Sequence, residues 1–292
     1  MSGGAARVAA QAKVNLFLRI LAREASGYHQ IETLFCRVAL ADDVVVRLAT
    51  RGRTLDCRGA DVGPVDENLA FRAARAYADA RSGWPRGFAI EIEKRIPVGA
   101  GLGGGSADAG AVLRALRALD PSPLPPDGIL ALARTLGADV PVMTIEEPLA
   151  LAWGRGDRLL PMPPLPARPV LLALPAVAIA TRDAYAWLAP PSAGAQRLPT
   201  GGFRDWRAVE PWLGNDFERV VVARHPEIGA VLAAVRDLPG VRPETALMSG
   251  SGSALYALLD AAPAAALPAA VGGARLLATS TVAHVDAVER IA

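Results

Sequence analysis

The sequence predicts a protein that mixes strands and helices and divides into two domains. Its 292 residues are enough for one large or two ordinary domains. Both halves contain short segments that alternate like strands and segments whose apolar residues recur at helical spacing. Residues 161–169 include five prolines among nine positions, which is typical of a linker. We therefore expect one domain over residues 1–160 and a second over 161–292.

The composition excludes several classes of protein. A hydrophobic content of 52% with 21% charged residues suits a folded chain. The net charge of +2 argues against a dedicated nucleic-acid binder. The longest apolar run, residues 170–180, contains Pro175 and is too short to span a bilayer, so we expect no membrane segment. Two cysteines, Cys36 and Cys57, form no disulfide framework, which favours a cytoplasmic location.

The first half is predicted to hold most of the strands and the longer helices. We expect strands over residues 7–20, 31–38, 42–48 and 88–93, and later over 149–153. We expect helices over residues 67–81 and 107–119, and a short one up to residue 136 that Asp127 caps. A proline-rich connection, residues 121–127, separates the last two helices.

The second half repeats the alternation of strand and helix. Strands are predicted over residues 170–174 and 254–259, and helices over 182–188 and from Asn215 and Pro226. A glycine- and proline-rich loop covers residues 190–202. Residues 248–253 form a second glycine–serine turn, which is either an ordinary hairpin turn or another anion-binding turn.

The most informative stretch is residues 97–108, which read PVGAGLGGGSAD. It follows a predicted strand and precedes a helix, and it holds five glycines. Glycine lets the backbone approach a ligand closely and adopt positive φ. Free N–H groups at the start of a helix favour anions, above all phosphate. We therefore predict a phosphate-binding loop here.

Three common phosphate loops do not fit this stretch. A Walker loop needs lysine before its Ser or Thr, and here Gly105 precedes Ser106 directly. A protein-kinase loop needs a lysine on a later strand, and the chain has no lysine after Lys94. A Rossmann fingerprint normally lies on the first strand of its domain, whereas about 90 residues precede this loop.

The basic residues are strongly biased toward arginine. Of 31 basic residues, 29 are Arg, and Lys13 and Lys94 are the only lysines. A solvated surface cation tolerates arginine, but a site that needs a compact ammonium does not. The bias indicates a function for Lys13 and leaves Lys94 open between function and chance. Asn15 follows Lys13 at a spacing of two, so both side chains lie on one face of the predicted strand.

Other candidates are ambiguous from their residues alone. Tyr28 and His29 lie in a turn and could stack on a flat ring, or could be incidental. Asp139 lies between a helix end and Pro141, where an aspartate ordinarily serves as a cap or turn residue.

The motif PVGAGLGGGSADA resembles the phosphate loop of the GHMP kinases, which include galactokinase, homoserine kinase and mevalonate kinase. Four further blocks resemble one branch of that superfamily, the kinases of a cytidine-diphosphate-linked methylerythritol. They are AKVNLFL (12–18), GYHQIETLF (27–35), LGADVP (136–141) and MSGSGS (248–253), in the expected order along the chain.

The resemblance implies ATP-dependent phosphorylation of the 2-hydroxyl of that small molecule, a step toward isoprenoid precursors by the non-mevalonate route. It implies an α+β fold of two domains with the active site in the cleft between them. The N-terminal domain would bind ATP and resemble domain 2 of ribosomal protein S5. The C-terminal domain would be ferredoxin-like.

The resemblance also assigns roles to residues. Asp139 matches the catalytic base and Lys13 the catalytic lysine. Asn15 matches a substrate-positioning residue, and Tyr28 and His29 match the residues that hold the cytosine. Two groups complete the assignment, one at the mouth of the substrate site (Thr181, Tyr185) and one that binds ATP (Asn68, Lys94, Pro97, Val98, Gly99, Ala100, Gly101, Leu102, Gly103, Gly104, Gly105, Ser106, Ala107).

The chain departs from the family's pattern at one position that matters for Mg²⁺. Ala107 stands where many relatives have a second serine, so Ser106 is the remaining hydroxyl for the metal. Two alternatives stay open: another small-molecule GHMP kinase, of the homoserine or mevalonate type, and a catalytically silent nucleotide-binding protein. The GYH and AKVN blocks argue against the first, and intact Lys13 and Asp139 against the second. The oligomeric state is not readable, and a homodimer is compatible with the sequence.

Overall fold

A computed structural model of the protein describes residues 4–188, 198–199, 202–262 and 267–291. Most of the predicted loop over residues 190–202 therefore lies outside the described residues. Strands and helices alternate along the described chain. The helices are α1 (Leu69–Ala80), α2 (Gly104–Leu119), α3 (Pro126–Leu136), α4 (Val140–Thr144), α5 (Thr181–Ala186), α6 (Trp206–Val209), α7 (Asp216–Arg224) and α8 (Pro226–Arg236).

The strands form two sheets. Within the described residues they are β1 (Ala5–Arg23), β2 (His29–Ala49), β3 (Arg53–Arg58), β4 (Gly87–Glu93), β5 (Leu149–Gly154), β6 (Arg158–Met162), β7 (Pro169–Leu174), β8 (Gly214–Asn215), β9 (Val241–Met248), β10 (Leu255–Leu259), β11 (Ala270–Val271), β12 (Ala274–Ser280) and β13 (Glu289–Ile291). The first sheet has the order β13-β1-β2-β4-β3, with β5 and β6 continuing from β2 and β8 beside β1. The second sheet has the order β11-β12-β7-β10-β9. This mixture confirms the predicted α+β class.

The long hairpin of β1 and β2 is the frame of the first sheet. The two strands predicted over residues 31–38 and 42–48 are one continuous strand, β2. The pairing with β1 shifts between Gln11 and Lys13, where the partner changes from Ala41 to Arg37. The chain therefore bends at an irregularity within one strand and does not break into two.

The helices of the first half begin at positions that correct two predictions. Helix α2 begins at Gly104, inside the glycine run, and not at residue 107. Helix α3 begins at Pro126 after Pro125, so Asp127 lies in its first turn and is not its cap. Proline at the first helical position loses no intrahelical hydrogen bond, which explains the start. Asn68 caps α1, close to the predicted start.

The buried apolar residues form two hydrophobic cores, and each draws residues from both sheets. The first includes the fully buried Phe17 and Phe88 together with Tyr256 of β10. The second includes Ile228 of α8 together with Leu18 of β1. The chain passes from the first sheet to the second between β6 and β7, within the proline-rich segment.

Two strands from the second half pair with the first sheet. β8 lies parallel to β1, and β13 pairs antiparallel with the start of β1. The division into domains at residue 160 therefore stays a prediction. Among the described helices, none combines the length and the apolar composition that crossing a membrane requires. The cytoplasmic location, the lack of a nucleic-acid partner and the homodimer also stay predictions.

Candidate active site

A cavity of about 530 Å³ lies between the two sheets. Its floor is β1 and the glycine loop from the first half of the chain. Its opposite side comes from α5 and the turn that contains Gly250 and Ser251. Residues from both predicted domains therefore line one cleft.

The glycine loop has the backbone geometry that its sequence predicts. Gly99, Gly101 and Gly103 adopt φ values of +71°, +78° and +73°, which L-residues with side chains rarely adopt. Gly103 precedes α2, and no side chain caps the helix start. The first N–H groups of α2 thus lack side-chain partners at the wall of the cavity, an arrangement that favours an anion.

The turn over residues 248–253 packs against this loop. A Cβ atom on Gly101 would lie 2.4 Å from the carbonyl oxygen of Ser249, so only glycine fits. The Ser249 hydroxyl donates to the Gly101 carbonyl at 3.1 Å, and the Ala254 N–H donates to the Ala100 carbonyl at 3.0 Å. The turn is both the connection of an antiparallel pair, β9 and β10, and a wall of the cleft.

Two residues of the predicted phosphate loop do not line the cavity. Leu102 is fully buried, and Ala107 is 1% exposed in the core. The others in the loop line it, including Ser106. The position where many relatives carry a second serine therefore faces the protein interior here.

Lys13 presents a buried ammonium to the cleft. Its Nζ donates to Asn15 Oδ1 at 2.7 Å and to the Gly101 carbonyl at 2.8 Å. Asp139 Oδ2 lies 3.6 Å from the same nitrogen. Burial lowers the pKa of Lys13, and the charge of Asp139 partly offsets that effect. Asn15 is held in turn by the hydroxyl of Thr33, which accepts from its Nδ2 at 2.8 Å.

Asp139 occupies the N-cap position of α4, but its side chain makes no capping hydrogen bond. The side chain is 33% exposed, and the residue lines the cavity. A loop aspartate ordinarily serves as a cap, so a carboxylate at this position without that bond remains available to a ligand. The pair of Asp139 and Lys13 is thus a free carboxylate beside a buried cation.

The two residues predicted near the nucleotide also line the cavity, and both have structural partners. Asn68 Oδ1 accepts from the N–H of Ala70 at 2.9 Å and caps α1. Lys94 Nζ is buried between two carboxylates, those of Asp42 and Asp108, and donates to Asp108 Oδ2 at 2.7 Å. Burial opposes the charge of Lys94, but the two carboxylates outweigh it and raise the pKa of Lys94.

The other end of the cleft is aromatic. A second cavity of about 670 Å³ shares Thr181 and Tyr185 with the first and is also lined by Tyr28 and His29. The rings of His29 and Tyr185 stack with centroids 5.0 Å apart. Burial lowers the pKa of His29, and so does the charge of Arg23, which favours the neutral imidazole. Tyr28 is 59% exposed.

Sequence reasoning gave no role to two further residues, one that lines the cleft and one that supports its wall. Arg155 lines both cavities, and its guanidinium lies 4.0 Å from the centre of the Tyr28 ring. Asn215 donates to the carbonyls of Met248 and Gly250 and so holds the glycine–serine turn. Arg155 is one of many arginines, and no motif distinguishes it. Asn215 begins an NDFE block at residues 215–218 that also fits the resemblance to the family, but the block does not indicate which carbonyls its amide bonds.

Comparison with known proteins places the chain among kinases. Residues 68–146 match the model of the GHMP kinases N terminal domain. The chain is 43% identical over 266 residues to a 4-diphosphocytidyl-2-C-methyl-D-erythritol kinase of Anaeromyxobacter dehalogenans (strain 2CP-C), with 88% of this chain and 81% of the relative covered. It is 40% identical to the Deinococcus radiodurans protein of the same name, with 90% and 87% covered.

A solved structure agrees with these relatives. The crystal structure of a 4-(cytidine 5'-diphospho)-2C-methyl-D-erythritol kinase superposes with a TM-score of 0.77 at 36% identity, and the match covers 94% of this chain and 98% of that one. The similarity extends over both sheets and is not confined to the glycine loop. The chain belongs to the 4-diphosphocytidyl-2-C-methyl-D-erythritol kinase family.

Proposed function

We propose that the protein transfers the γ-phosphoryl group of ATP to the 2-hydroxyl of 4-diphosphocytidyl-2-C-methyl-D-erythritol. The observation that carries this proposal is the position of the Lys13–Asp139 pair. It lies between a glycine loop built for phosphate and an aromatic pocket suited to a nucleobase. A kinase that transfers phosphate from ATP at the loop to an acceptor in the pocket needs its acid–base pair between the two.

The reaction moves one proton and one phosphoryl group. The acceptor oxygen attacks the γ-phosphorus, the bond from that phosphorus to the β–γ bridging oxygen breaks, and ADP leaves. The hydroxyl proton passes to the carboxylate of Asp139, which no capping bond occupies. The buried ammonium of Lys13 offsets the negative charge that develops on the transferred group.

The glycine loop and the start of α2 hold the phosphates of ATP. Their backbone N–H groups and the positive end of the helix favour the anion. Asn15 is hydrogen-bonded to Lys13 and Thr33. It would position the acceptor hydroxyl next to the Lys13 ammonium. Asn68 caps the start of α1, and Lys94 bonds Asp108 just after the glycine loop. Both residues would lie next to the nucleotide.

The site suits a magnesium ion that arrives with ATP. The described residues hold no group of three His, Cys, Asp or Glu side chains that could bind a metal by themselves. Mg²⁺ is commonly held by substrate phosphates, waters and one or two protein oxygens, and Ser106 at the cavity wall offers such an oxygen. When bound, the ion neutralises charge on the β- and γ-phosphates.

The cytidine end carries aromatic and polar side chains. Tyr28 and Tyr185 offer aromatic faces for the cytosine ring, and neutral His29 has one donor and one acceptor nitrogen. Thr181, whose Oγ1 lies 2.9 Å from the Ser251 hydroxyl, stands where the two cavities meet. Arg155 lines both cavities, where the diphosphate of the acceptor would pass.

ATP consumption against a panel of acceptors tests the function. We expect turnover with 4-diphosphocytidyl-2-C-methyl-D-erythritol and none with homoserine, mevalonate or galactose. Turnover of homoserine or mevalonate alone would contradict the assignment. If none of the four acceptors is phosphorylated, a catalytically silent nucleotide-binding protein is favoured.

The role of Asp139 has its own test. Asp139→Asn keeps the size of the side chain but removes the base, so kcat should fall at least about a hundredfold. ATP binding should stay nearly unchanged. Asp127→Asn, an exposed change in α3, is the matched control. Near-wild-type turnover of Asp139→Asn would remove this residue as the base.

A further inference from the structure

Arg37 is a buried arginine that touches neither the glycine loop nor either cavity. It lies on β2 and is 2% exposed. In the pairing of the hairpin it stands directly opposite Lys13 of β1. Directly opposed residues of an antiparallel pair project from the same face of the sheet. Arg37 therefore lies beside the catalytic lysine, but beneath α4 and away from the cleft.

The guanidinium of Arg37 holds the C-terminal end of α4. Its Nη2 donates to the carbonyls of Val142 at 2.8 Å and Ile145 at 3.2 Å. Its Nη1 makes a longer bond of 3.4 Å to the carbonyl of Gln11. The last carbonyls of a helix have no intrahelical partner, and a cation there also complements the helix dipole. Arg37 therefore ties this five-residue helix to the sheet.

Helix α4 is held on its other side by α2. A Cβ atom on Gly110 would lie 2.3 Å from the carbonyl oxygen of Met143, so the two backbones are in direct contact. The N-terminal end of α4 is Asp139, whose side chain makes no capping bond. The position of the Asp139 carboxylate therefore depends on how the body of α4 is fixed, because its own side chain does not anchor it.

The cost of burying Arg37 argues that its position matters. Burial and the nearby Arg114 lower the pKa of Arg37 to about 9, so the group is still charged at neutral pH. The hydrogen bonds that its guanidinium makes to described residues all go to backbone carbonyls. A buried charge is costly unless its partners compensate it, and here the compensation comes mainly from one end of α4.

We propose that Arg37 is a positioning residue for phosphoryl transfer: it fixes the C-terminal end of α4 and thereby holds the Asp139 carboxylate beside Lys13. The inference rests on the proposed function in one respect, that Asp139 acts as the base. A shift of about 1 Å in a reacting group can cost about a hundredfold in rate.

The first test separates positioning from general stability. Arg37→Met should lower kcat about 10- to 100-fold and leave KM for ATP within about twofold, because the Arg37 guanidinium bonds α4 and Gln11 and makes no hydrogen bond to the phosphate loop. Arg168→Met is the control, since Arg168 is also buried, at 6%, but lies in the second half of the chain, where it bonds the Leu259 carbonyl and pairs with Glu210 and Asp260. It should lose stability but keep its kcat.

The second test is a double-mutant cycle with Asp139. If Arg37 acts through Asp139, Arg37→Met should cost less than about threefold in kcat when Asp139 is already Asn. A full, independent loss in that background would overturn the proposal. If Arg37→Met does not fold, Arg37→Lys decides. Its ammonium can reach one carbonyl, so its kcat should be intermediate, and a wild-type kcat would also overturn the proposal.

These variants distinguish failure of the Arg37 proposal from failure of the proposed role of Asp139. An active Asp139→Asn variant removes Asp139 as the base whatever Arg37 does. If Asp139→Asn is inactive but Arg37→Met is folded and fully active, Asp139 remains the proposed base and only the positioning role of Arg37 is rejected.

Discussion

The two lysines of the chain are equally buried and yet have opposite surroundings. The Lys94 side chain is 3% exposed and lies between two buried carboxylates, which raise its pKa. The Lys13 side chain is 4% exposed and faces one half-exposed carboxylate at 3.6 Å, and burial lowers its pKa. The charge of Lys94 is compensated within the fold, whereas that of Lys13 is only partly compensated.

The difference is the one that we expect between a structural cation and a reactive one. Asp42 also accepts from the backbone N–H of Ile96 at 2.8 Å, just before the glycine loop, while Asp108 lies just after it. Lys94 thus joins the two ends of the loop. Lys13 keeps part of its charge for a ligand. This contrast implies that substitutions at the two lysines and around them differ in their effects on stability, turnover and substrate binding.

The largest effect is expected on stability. Lys94→Met leaves two buried carboxylates without their cation and should lower the free energy of unfolding by about 3–5 kcal/mol. Lys13→Met removes a poorly compensated charge and should change it by less than about 1 kcal/mol. Urea denaturation of both variants measures the difference. Equal losses of unfolding free energy in the two variants would show that the fold depends on both lysines to the same degree.

The next effect is on catalysis. Lys13→Arg keeps the charge but replaces a compact ammonium with a wide fork in a space bounded by Asn15 and Gly101. We expect kcat to fall at least about a hundredfold, which corresponds to about 2.7 kcal/mol. Steady-state kinetics measures it, with Arg47→Lys on the exposed face as the control. A fully active Lys13→Arg enzyme would break the contrast.

A smaller effect is expected at Gly101, whose carbonyl accepts a hydrogen bond from Lys13. Gly101→Ala adds a Cβ atom 2.4 Å from the Ser249 carbonyl, whereas Gly99→Ala meets nothing within 4 Å. Both changes carry the strain of positive φ, about 1 kcal/mol each. Gly101→Ala should therefore lower kcat/KM for ATP about tenfold more than Gly99→Ala does. Equal effects in the two variants would mean that the contact with the glycine–serine turn is unimportant.

The smallest effect is expected at an exposed cation. Arg155→Met should raise KM for the cytidylyl acceptor about tenfold, or about 1.4 kcal/mol, with kcat and KM for ATP unchanged. Arg158→Met is a neighbouring exposed change on the same hairpin and should have no effect. A rise in KM for ATP alone would place Arg155 at the wrong end of the cleft.

The sequence predicted those parts of the fold that local patterns specify. The start of α1 near Asn68, the strand over residues 88–93 and the glycine loop followed from helical spacing, alternation and the run of glycines. Strands β3 and β12 were not predicted. All of their residues except Ala274 are exposed or half-buried, so neither has the buried apolar face that marks the strands of the core. Their pairing depends on strands that are distant in sequence.

The candidate site shows the same limit. The shared face of Lys13 and Asn15 was readable from a spacing of two, and they do hydrogen-bond. The freedom of the Asp139 carboxylate was not readable, because the usual expectation for that position is a cap. The burial of Arg37 and its bonds to α4 arise from tertiary packing, and nothing in the local sequence distinguishes it from the other arginines.

The return of β8 and β13 to β1 has a consequence for dissecting the protein. A fragment ending near residue 160 would lack both strands and would expose the backbone of β1 along the edge where they pair. An uncovered strand edge is a template for association with other chains. The proline-rich segment therefore marks a change of sheet and not a place to cut, and we expect such a fragment to aggregate more than the whole chain does.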